Sequence, residues 1–137
     1  MIQANELRVG NIIQCALNES LRLPDGVPHV VSAVLPFGEV IVDLSHTSQT
    51  TTKCPIKHCS GIPLTPEWLT RAGFEKNIYG YYVYDILEIG HTTTEEYFEL
   101  ELKGTNDDVG YKLIAIKYVH QLQNLYFALT GHELEFK

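Results

Sequence analysis

The stretch KYVHQLQNLYFALTGHEL, at positions 117–134, has the apolar periodicity of an amphipathic helix. Between positions 118 and 130 it contains no Asp, Glu, Lys or Arg, although a helix face in water normally carries such charges. Apolar side chains recur three and four residues apart and predict a stripe that faces a core. The opposite face consists of His, amides and one aromatic ring. Since amides and His can be buried when they are hydrogen-bonded, this second face predicts a contact with another surface.

The candidate contact surface comprises His120, Gln123, Asn124 and Phe127, together with Tyr82 and Tyr84. Three explanations of the helix face stay open. The covering surface is the β-rich part of the same chain, or it is a protein partner such as a second copy in a homodimer, or His120 has a ligand or catalytic role. The two tyrosines share one face of a predicted strand, where packing inside the sheet is the alternative to a protein contact.

Short strand patterns occupy most of the remaining chain. The clearest hairpin has β-branched runs at 30–35 and 40–44 around a link that contains Pro36 and Gly38. A short helix over 66–72 is predicted by Thr65 as N-cap, Pro66 at the first helical position and Gly73 after the end. Strands grouped around two isolated helices, instead of alternating with them, predict an α+β fold with antiparallel sheets.

This pattern divides the chain near its middle. Residues 1–60 are predicted to form a β-rich subdomain, a small SH3-like β-barrel. Residues 61–137 are predicted to form an antiparallel sheet packed by the short central helix and the longer C-terminal helix. The two subdomains are expected to make one compact domain, since 137 residues is an ordinary length for a single domain.

Composition and charge exclude several classes of protein. The net charge of −7 argues against general nucleic-acid binding, and only Lys53 and Lys57 offer a local basic alternative on the predicted barrel. Three cysteines are too few for a secreted disulfide scaffold. The opening MIQANELRVGN lacks a signal-peptide pattern, and no apolar run is long enough to span a membrane. We therefore expect a soluble cytoplasmic protein with no membrane association.

The stretch from 46 to 59 contains the metal-ligand types His46, Cys54, His58 and Cys59. Structural zinc needs four ligands, commonly in two short-spaced pairs, and no second pair is present. His58 and Cys59 are adjacent, so in a strand they point to opposite faces. These residues are therefore predicted to be a polar loop in which the cysteines are small, semi-buried fillers, and no metal is predicted. A small metal- or thiol-dependent enzyme that uses this stretch stays the alternative.

No pattern for catalysis or cofactor binding occurs elsewhere in the chain. There is no nucleophile elbow, phosphate-binding loop or dinucleotide fingerprint. The sequence therefore predicts no catalytic residue, no cofactor and no enzymatic activity.

Three segments carry a resemblance to a known family: YVHQLQNLYFALTGHEL, IPLTPEWLTRAGFE and the opening ANELRVGN. Together they resemble a family of small proteins without an assigned activity, which occurs in gut anaerobic bacteria and in their phages and mobile elements. The resemblance implies a bacterial or phage-encoded cytoplasmic protein and brings no active-site residues. The first functional hypothesis is a non-enzymatic binding or accessory protein that acts through protein contacts, and a nucleic-acid-binding module is the second.

Overall fold

A computed structural model describes residues 2–15, 28–43, 51–91, 98–102 and 111–137. The chain forms two compact units, Met1–Ile62 with Tyr118–Gly131, and Pro63–Lys117 with His132–Lys137. Each unit contains one five-stranded antiparallel sheet, which confirms the α+β class. The C-terminal helix belongs to the first unit, whereas the division at residue 60 assigned it to the second sheet. The reason is a set of polar contacts between the helix and the N-terminal segment that a local sequence pattern does not contain.

The first sheet has the strand order β4-β3-β2-β1-β5. Its strands are β1 (Ile12–Cys15), β2 (Pro28–Leu35), β3 (Glu39–Asp43), β4 (Thr51–Pro55) and β5 (Cys59–Gly61). The predicted hairpin is present as β2 and β3, joined by a turn in which Phe37 and Gly38 have positive φ angles of 67° and 77°. The ladder register shifts between Val31 and Ala33, and such a bulge increases the local twist of a strand.

The first sheet is strongly curled. Its edge strands β4 and β5 are joined only by a 3₁₀ turn, Ile56–His58. The two edges of a flat five-stranded sheet lie about 19 Å apart. The four residue-to-residue steps from Pro55, at the end of β4, to Cys59, at the start of β5, span at most about 14 Å. The sheet must therefore curl to bring its two edges together. Among the described residues no backbone pairing joins β4 to β5, so a closed barrel is not found and the predicted SH3-like barrel is not shown.

Alternating residues of the curled sheet form the core of the first unit. Ile13, Val31, Val40 and Val42 are fully buried, in agreement with the period of two along a strand. Ile2 and Leu7, which flank a 3₁₀ turn at Ala4–Glu6, join the same cluster. The three cysteines Cys15, Cys54 and Cys59 complete it.

The second unit contains α1 (Pro66–Arg71) and a sheet of order β10-β9-β8-β7-β6. Its strands are β6 (Glu75–Lys76), β7 (Tyr82–Tyr84), β8 (Leu87–His91), β9 (Phe98–Leu102) and β10 (Tyr111–Ile116). The helix starts as predicted, because Thr65 Oγ1 accepts a hydrogen bond from the Trp68 N–H at 3.4 Å. Buried side chains of this unit include Leu69, Phe74, Leu87, Ile89, Phe98 and Ile116.

The longer helix α2 (Val119–Thr130) ends at Gly131, which has a left-handed φ of 75°. The predicted core stripe comprises Tyr118, Val119, Leu122, Leu125, Tyr126 and Leu129. Its buried members are Val119, Leu122 and Tyr126. Leu125 is half-buried, and Tyr118 and Leu129 at the two ends are exposed. Within the described ranges, no helix is both long and apolar enough to cross a membrane.

Candidate functional site

Three cysteines from three strands meet in the core of the first unit. Cys15 ends β1, Cys54 is the fourth residue of β4 and Cys59 begins β5. Their exposed fractions are 0%, 0% and 4%. Cys15 and Cys59 are direct partners in the antiparallel ladder. Cys54 joins them because the sheet curls, although its strand is three positions away from β1 in the sheet.

The three sulfur atoms form a compact triangle, here called the thiol triangle. The Sγ atom of Cys59 lies 3.5 Å from that of Cys54 and 3.8 Å from that of Cys15. All three atoms lie within 4.8 Å of one another, and none forms a disulfide. Two thiolates bound to one metal ion at about 2.3 Å are about 3.8 to 4.0 Å apart, for tetrahedral or trigonal geometry. The thiol triangle therefore has nearly the dimensions of a three-sulfur metal site.

The hydrogen bonds within the thiol triangle shift the pKa values of the three thiols in different directions. Thiols of Cys15 and Cys59 donate to Cys54 and lower its pKa, which burial opposes and the charges of nearby histidines assist. The pKa of Cys15 is raised, first by its hydrogen bond to Cys54. For Cys59, the bond with Cys15 lowers the pKa, but the bond with Cys54 and burial outweigh it and raise the value to about 12. A bound cation would replace the thiol protons, because the thiolate is the form that binds a metal.

The thiol triangle includes only part of the metal-ligand set considered from sequence. Cys54 and Cys59 belong to it, whereas His46 lies outside the described residues. His58 is half-buried in the 3₁₀ turn and is not one of the three clustered ligands found in the described chain. No local sequence signal marks Cys15 as a third ligand, because only the pairing of β1 with β5 brings it to Cys59.

The uncharged face of α2 is covered by the N-terminal segment of the same chain. Gln123 is 3% exposed, and its carboxamide accepts a hydrogen bond from the Ile12 N–H at 2.8 Å. The same carboxamide donates to the Gly10 carbonyl at 3.0 Å. One side chain thus satisfies a backbone donor and a backbone acceptor, as a neighbouring strand would.

Asn124 and Phe127 extend this contact by one helical turn. Asn124 accepts from the Asn11 carboxamide at 2.8 Å and donates to the Glu6 carbonyl at 2.6 Å. The Arg8 guanidinium lies 4.1 Å from the centroid of the Phe127 ring, which is 38% exposed. These contacts lie within one chain and match the intramolecular explanation of the face.

His120 differs from its neighbours on this face. It is 1% exposed, and neither ring nitrogen has a hydrogen-bond partner in the described part of the molecule. Its ring stacks on that of Tyr118, with centroids 5.7 Å apart. A cavity of about 110 Å³ adjoins it, lined by Ile2, Glu6, Ser60, Gly61, Tyr118 and His120. Nothing in the local sequence around position 120 indicated Glu6 or Gly61 as its neighbours.

The two tyrosines of the candidate surface lie in the second unit and are half-buried. The Tyr84 ring packs against Phe74 at 5.3 Å, and Lys76 Nζ lies 5.9 Å from the Tyr82 ring. Both rings therefore make contacts inside their own unit, which is the packing alternative considered from sequence.

Comparison of the chain with protein-family models, with curated proteins and with solved structures gave no match.

Proposed function

We propose that the first unit is a binding module for one soft metal cation of the Cu(I) type, held by Cys15, Cys54 and Cys59. The observation that carries the proposal is the thiol triangle, whose sulfur atoms lie within 4.8 Å of one another. Thiolates bind soft cations in preference to hard ones. Three sulfurs on three different strands are unlike the scattered thiols that merely fill space in a core.

The number of ligands favours Cu(I) over Zn²⁺. Structural zinc sites are almost always tetrahedral and need a fourth ligand. In the described residues the cluster contains three ligands and no fourth. A trigonal set of thiolates suits a monovalent d¹⁰ ion, which has no demand for a fourth donor. Burial of all three sulfurs also leaves no approach for a substrate, so the proposed role is binding and not catalysis.

The proposal includes the SH3-like barrel predicted from sequence. Its support is the short link between the two edge strands and the closeness of Cys15 on β1 to Cys54 on β4. A metal ion would link β1, β4 and β5 through their cysteines. It would thereby connect the two edge strands, β4 and β5, between which the described residues show no backbone pairing. Since metal affinity for the folded state adds to the free energy of unfolding, the ion is proposed to stabilise this unit.

Fewer observations support the three other functional hypotheses, which are a protein-contact role, nucleic-acid binding and an accessory role in a mobile element. The uncharged helix face, which suggested a homodimer or another protein partner, is engaged by residues of the same chain. Exposed Lys53 and Lys57 remain the basis of the nucleic-acid alternative. The family resemblance makes an accessory role in a phage or mobile element a further proposal. A reducing cytoplasm, the proposed location, keeps the thiols in the form that a metal needs.

The test is a competition titration with Cu(I) under anaerobic conditions. The reduced protein is titrated against a coloured Cu(I) chelator, and Zn²⁺ is titrated in a parallel series. We expect one equivalent of Cu(I) per chain, with a sulfur-to-copper charge-transfer band, and weaker binding of Zn²⁺. A protein that withdraws no Cu(I) from the chelator contradicts the proposal, and tighter binding of Zn²⁺ contradicts its choice of cation.

Two variants separate metal binding from packing. Cys54→Val keeps the apolar volume and removes one sulfur, so it should lose the tight Cu(I) site. Val40→Ala is the matched control, because Val40 pairs with Cys54 in the ladder and is equally buried. It should lose stability but keep the site. If Cys54→Val does not fold, thiol alkylation of the folded wild-type protein decides: Cu(I) should slow the labelling of all three thiols without denaturant, and an unchanged labelling rate counts against the site.

A further inference from the structure

The buried ring of His120 has hydrogen-bonding capacity that the described chain does not use. A neutral imidazole carries one N–H donor and one acceptor nitrogen. Both nitrogens of His120 lack a partner there, although the ring is 1% exposed. A buried polar group without a partner destabilises the folded state. The adjacent Gln123 shows that polar groups on this face are otherwise satisfied.

The ring is held in place by a close approach to Gly61. A Cβ atom at that position would lie 2.9 Å from Cε1 of His120 and 2.6 Å from Cγ of Tyr118. Real side chains do not tolerate such distances, so the stacked pair needs glycine beneath it. The imidazole can therefore lie beside the cavity because Gly61 in β5 has no side chain.

The cavity combines one acidic group with aromatic walls. Glu6 and Ser60 are exposed and form the outer rim, while His120 and Gly61 are buried and form the floor. Burial lowers the pKa of His120, and the Glu6 carboxylate opposes that shift. The imidazole is thus neutral near neutral pH, and among the described residues that line the cavity only Glu6 carries a charge.

We propose that this cavity binds a small primary ammonium group, with the Glu6 carboxylate as its hydrogen-bond acceptor and the buried His120 ring as part of the cavity wall. Anions are disfavoured because none of the described residues that line the cavity is basic. A volume of about 110 Å³ has room for a few non-hydrogen atoms, since one water occupies about 30 Å³ in the liquid. The site therefore fits a small amine. It also fits the ammonium end of a longer molecule whose remaining part extends out of the cavity between Glu6 and Ser60.

This proposal is independent of the metal site and has its own test. The full-length protein is titrated with ethylammonium, ethanol and acetate while the amide signal of Gly61 and the ring signals of His120 are followed by NMR. Ethanol matches ethylammonium in size but lacks the charge. We expect saturable shifts with ethylammonium and none with the other two compounds. The ring of His132, which is exposed and lies in the other unit, is the internal control and should not respond.

The variant Glu6→Gln tests the role of the carboxylate. Glutamine keeps an oxygen that can accept the Gln3 N–H bond seen at 2.7 Å, so the local turn should be preserved. Loss of a charge-assisted hydrogen bond should weaken ethylammonium binding by about tenfold or more. Equal binding of ethanol, unchanged affinity in Glu6→Gln, or no response at His120, as for a cavity that holds only water, would each overturn the proposal.

Discussion

The carboxamide of Asn11 donates a hydrogen bond of 2.8 Å to the carboxamide of Asn124, which lies 113 positions later in the chain. Asn11 is fully buried, and its own Oδ1 accepts a bond from the Arg8 N–H at 2.8 Å. The pair ties α2 to the segment that leads into β1. An amide face serves this purpose because each amide offers a donor and an acceptor without the desolvation cost of a charge.

Removal of one partner should therefore cost more than a surface change. We expect Asn124→Ala to lower the free energy of unfolding by about 1–3 kcal/mol, because Asn11 would keep a buried N–H group without an acceptor. Urea denaturation measures the change. Ala128→Gln, at an exposed position of the same helix, is the control and should stay within about 0.5 kcal/mol of the wild type. Equal stability of the two variants would show that the amide pair contributes nothing.

A charge at position 123 should make the helix contact depend on pH. In Gln123→Glu, the carboxylate can still accept from the Ile12 N–H but cannot donate to the Gly10 carbonyl. We expect a loss of about 2–3 kcal/mol near pH 7. The folded state should raise the pKa of the new carboxyl group above its usual value of about 4.3, since protonation restores a donor. The penalty should shrink as the pH falls through that raised pKa.

The measurement for Gln123→Glu is urea denaturation of variant and wild type at several pH values. Only their difference is interpreted, because other groups titrate in both proteins. Gln14→Glu is a suitable control, since Gln14 is half-buried and donates only one long bond of 3.3 Å to Gly61. A difference for Gln123→Glu that does not change with pH would contradict the two-bond geometry.

The close packing at Gly61 predicts a penalty for one added methyl group. We expect Gly61→Ala to lower the free energy of unfolding by about 1–3 kcal/mol, because the Tyr118 and His120 rings must move. The neighbouring change Ser60→Ala, on the exposed face of β5, should be nearly neutral. Chemical denaturation compares the two. A stable Gly61→Ala variant, with the His120 ring signals of the wild type, would contradict the observed stacking.

The buried imidazole should also make stability fall in mild acid. Burial lowers the pKa of His120 in the folded state below the usual value of about 6.5, and the Glu6 carboxylate offsets part of the shift. Above pH 6.5 both states hold the neutral ring, and stability is complete. As the pH falls below about 6.5, the unfolded state takes up the proton first, so the folded state loses stability until the pH passes the lowered pKa.

His120→Leu removes this contribution and keeps a side chain of similar bulk. Its free energy of unfolding should fall less steeply than that of the wild type between about pH 6.5 and pH 5. Thermal denaturation over this range provides the comparison, with His132→Leu as the control at an exposed position. Parallel curves for His120→Leu and wild type would mean that His120 is not held neutral by burial.

Local signals in the sequence predicted local structure well. Thr65 and Pro66 start α1, and Gly131 ends α2, because a cap or a positive φ is a property of a few adjacent residues. The hairpin of β2 and β3 followed from β-branched runs on either side of a turn. The helix face predicted a covering contact, and His120 and Gln123 are buried, whereas Phe127 on the same face is 38% exposed. The amides of the face did not reveal which segment covers it.

Contacts between residues that are far apart in the sequence could not be predicted from these local signals. The unit to which α2 belongs depends on backbone groups of Gly10 and Ile12, and backbone groups leave no trace in a residue pattern. The thiol triangle depends on the pairing of β1 with β5 and on the curl that brings Cys54 to Cys15. Spacing along the chain brought Cys54 and Cys59 to attention, but Cys15 lies 44 positions from Cys59.

The most direct measurement of the central claim is X-ray absorption at the copper edge of the Cu(I)-loaded wild-type protein. The account predicts a first shell of three sulfur atoms at about 2.3 Å and no nitrogen or oxygen ligand. Cys59→Ser should lose this shell, while Val40→Ala should keep it. A shell of nitrogen or oxygen atoms, two sulfurs alone, or an unchanged spectrum in Cys59→Ser would contradict the assignment of Cys15, Cys54 and Cys59 as a metal site.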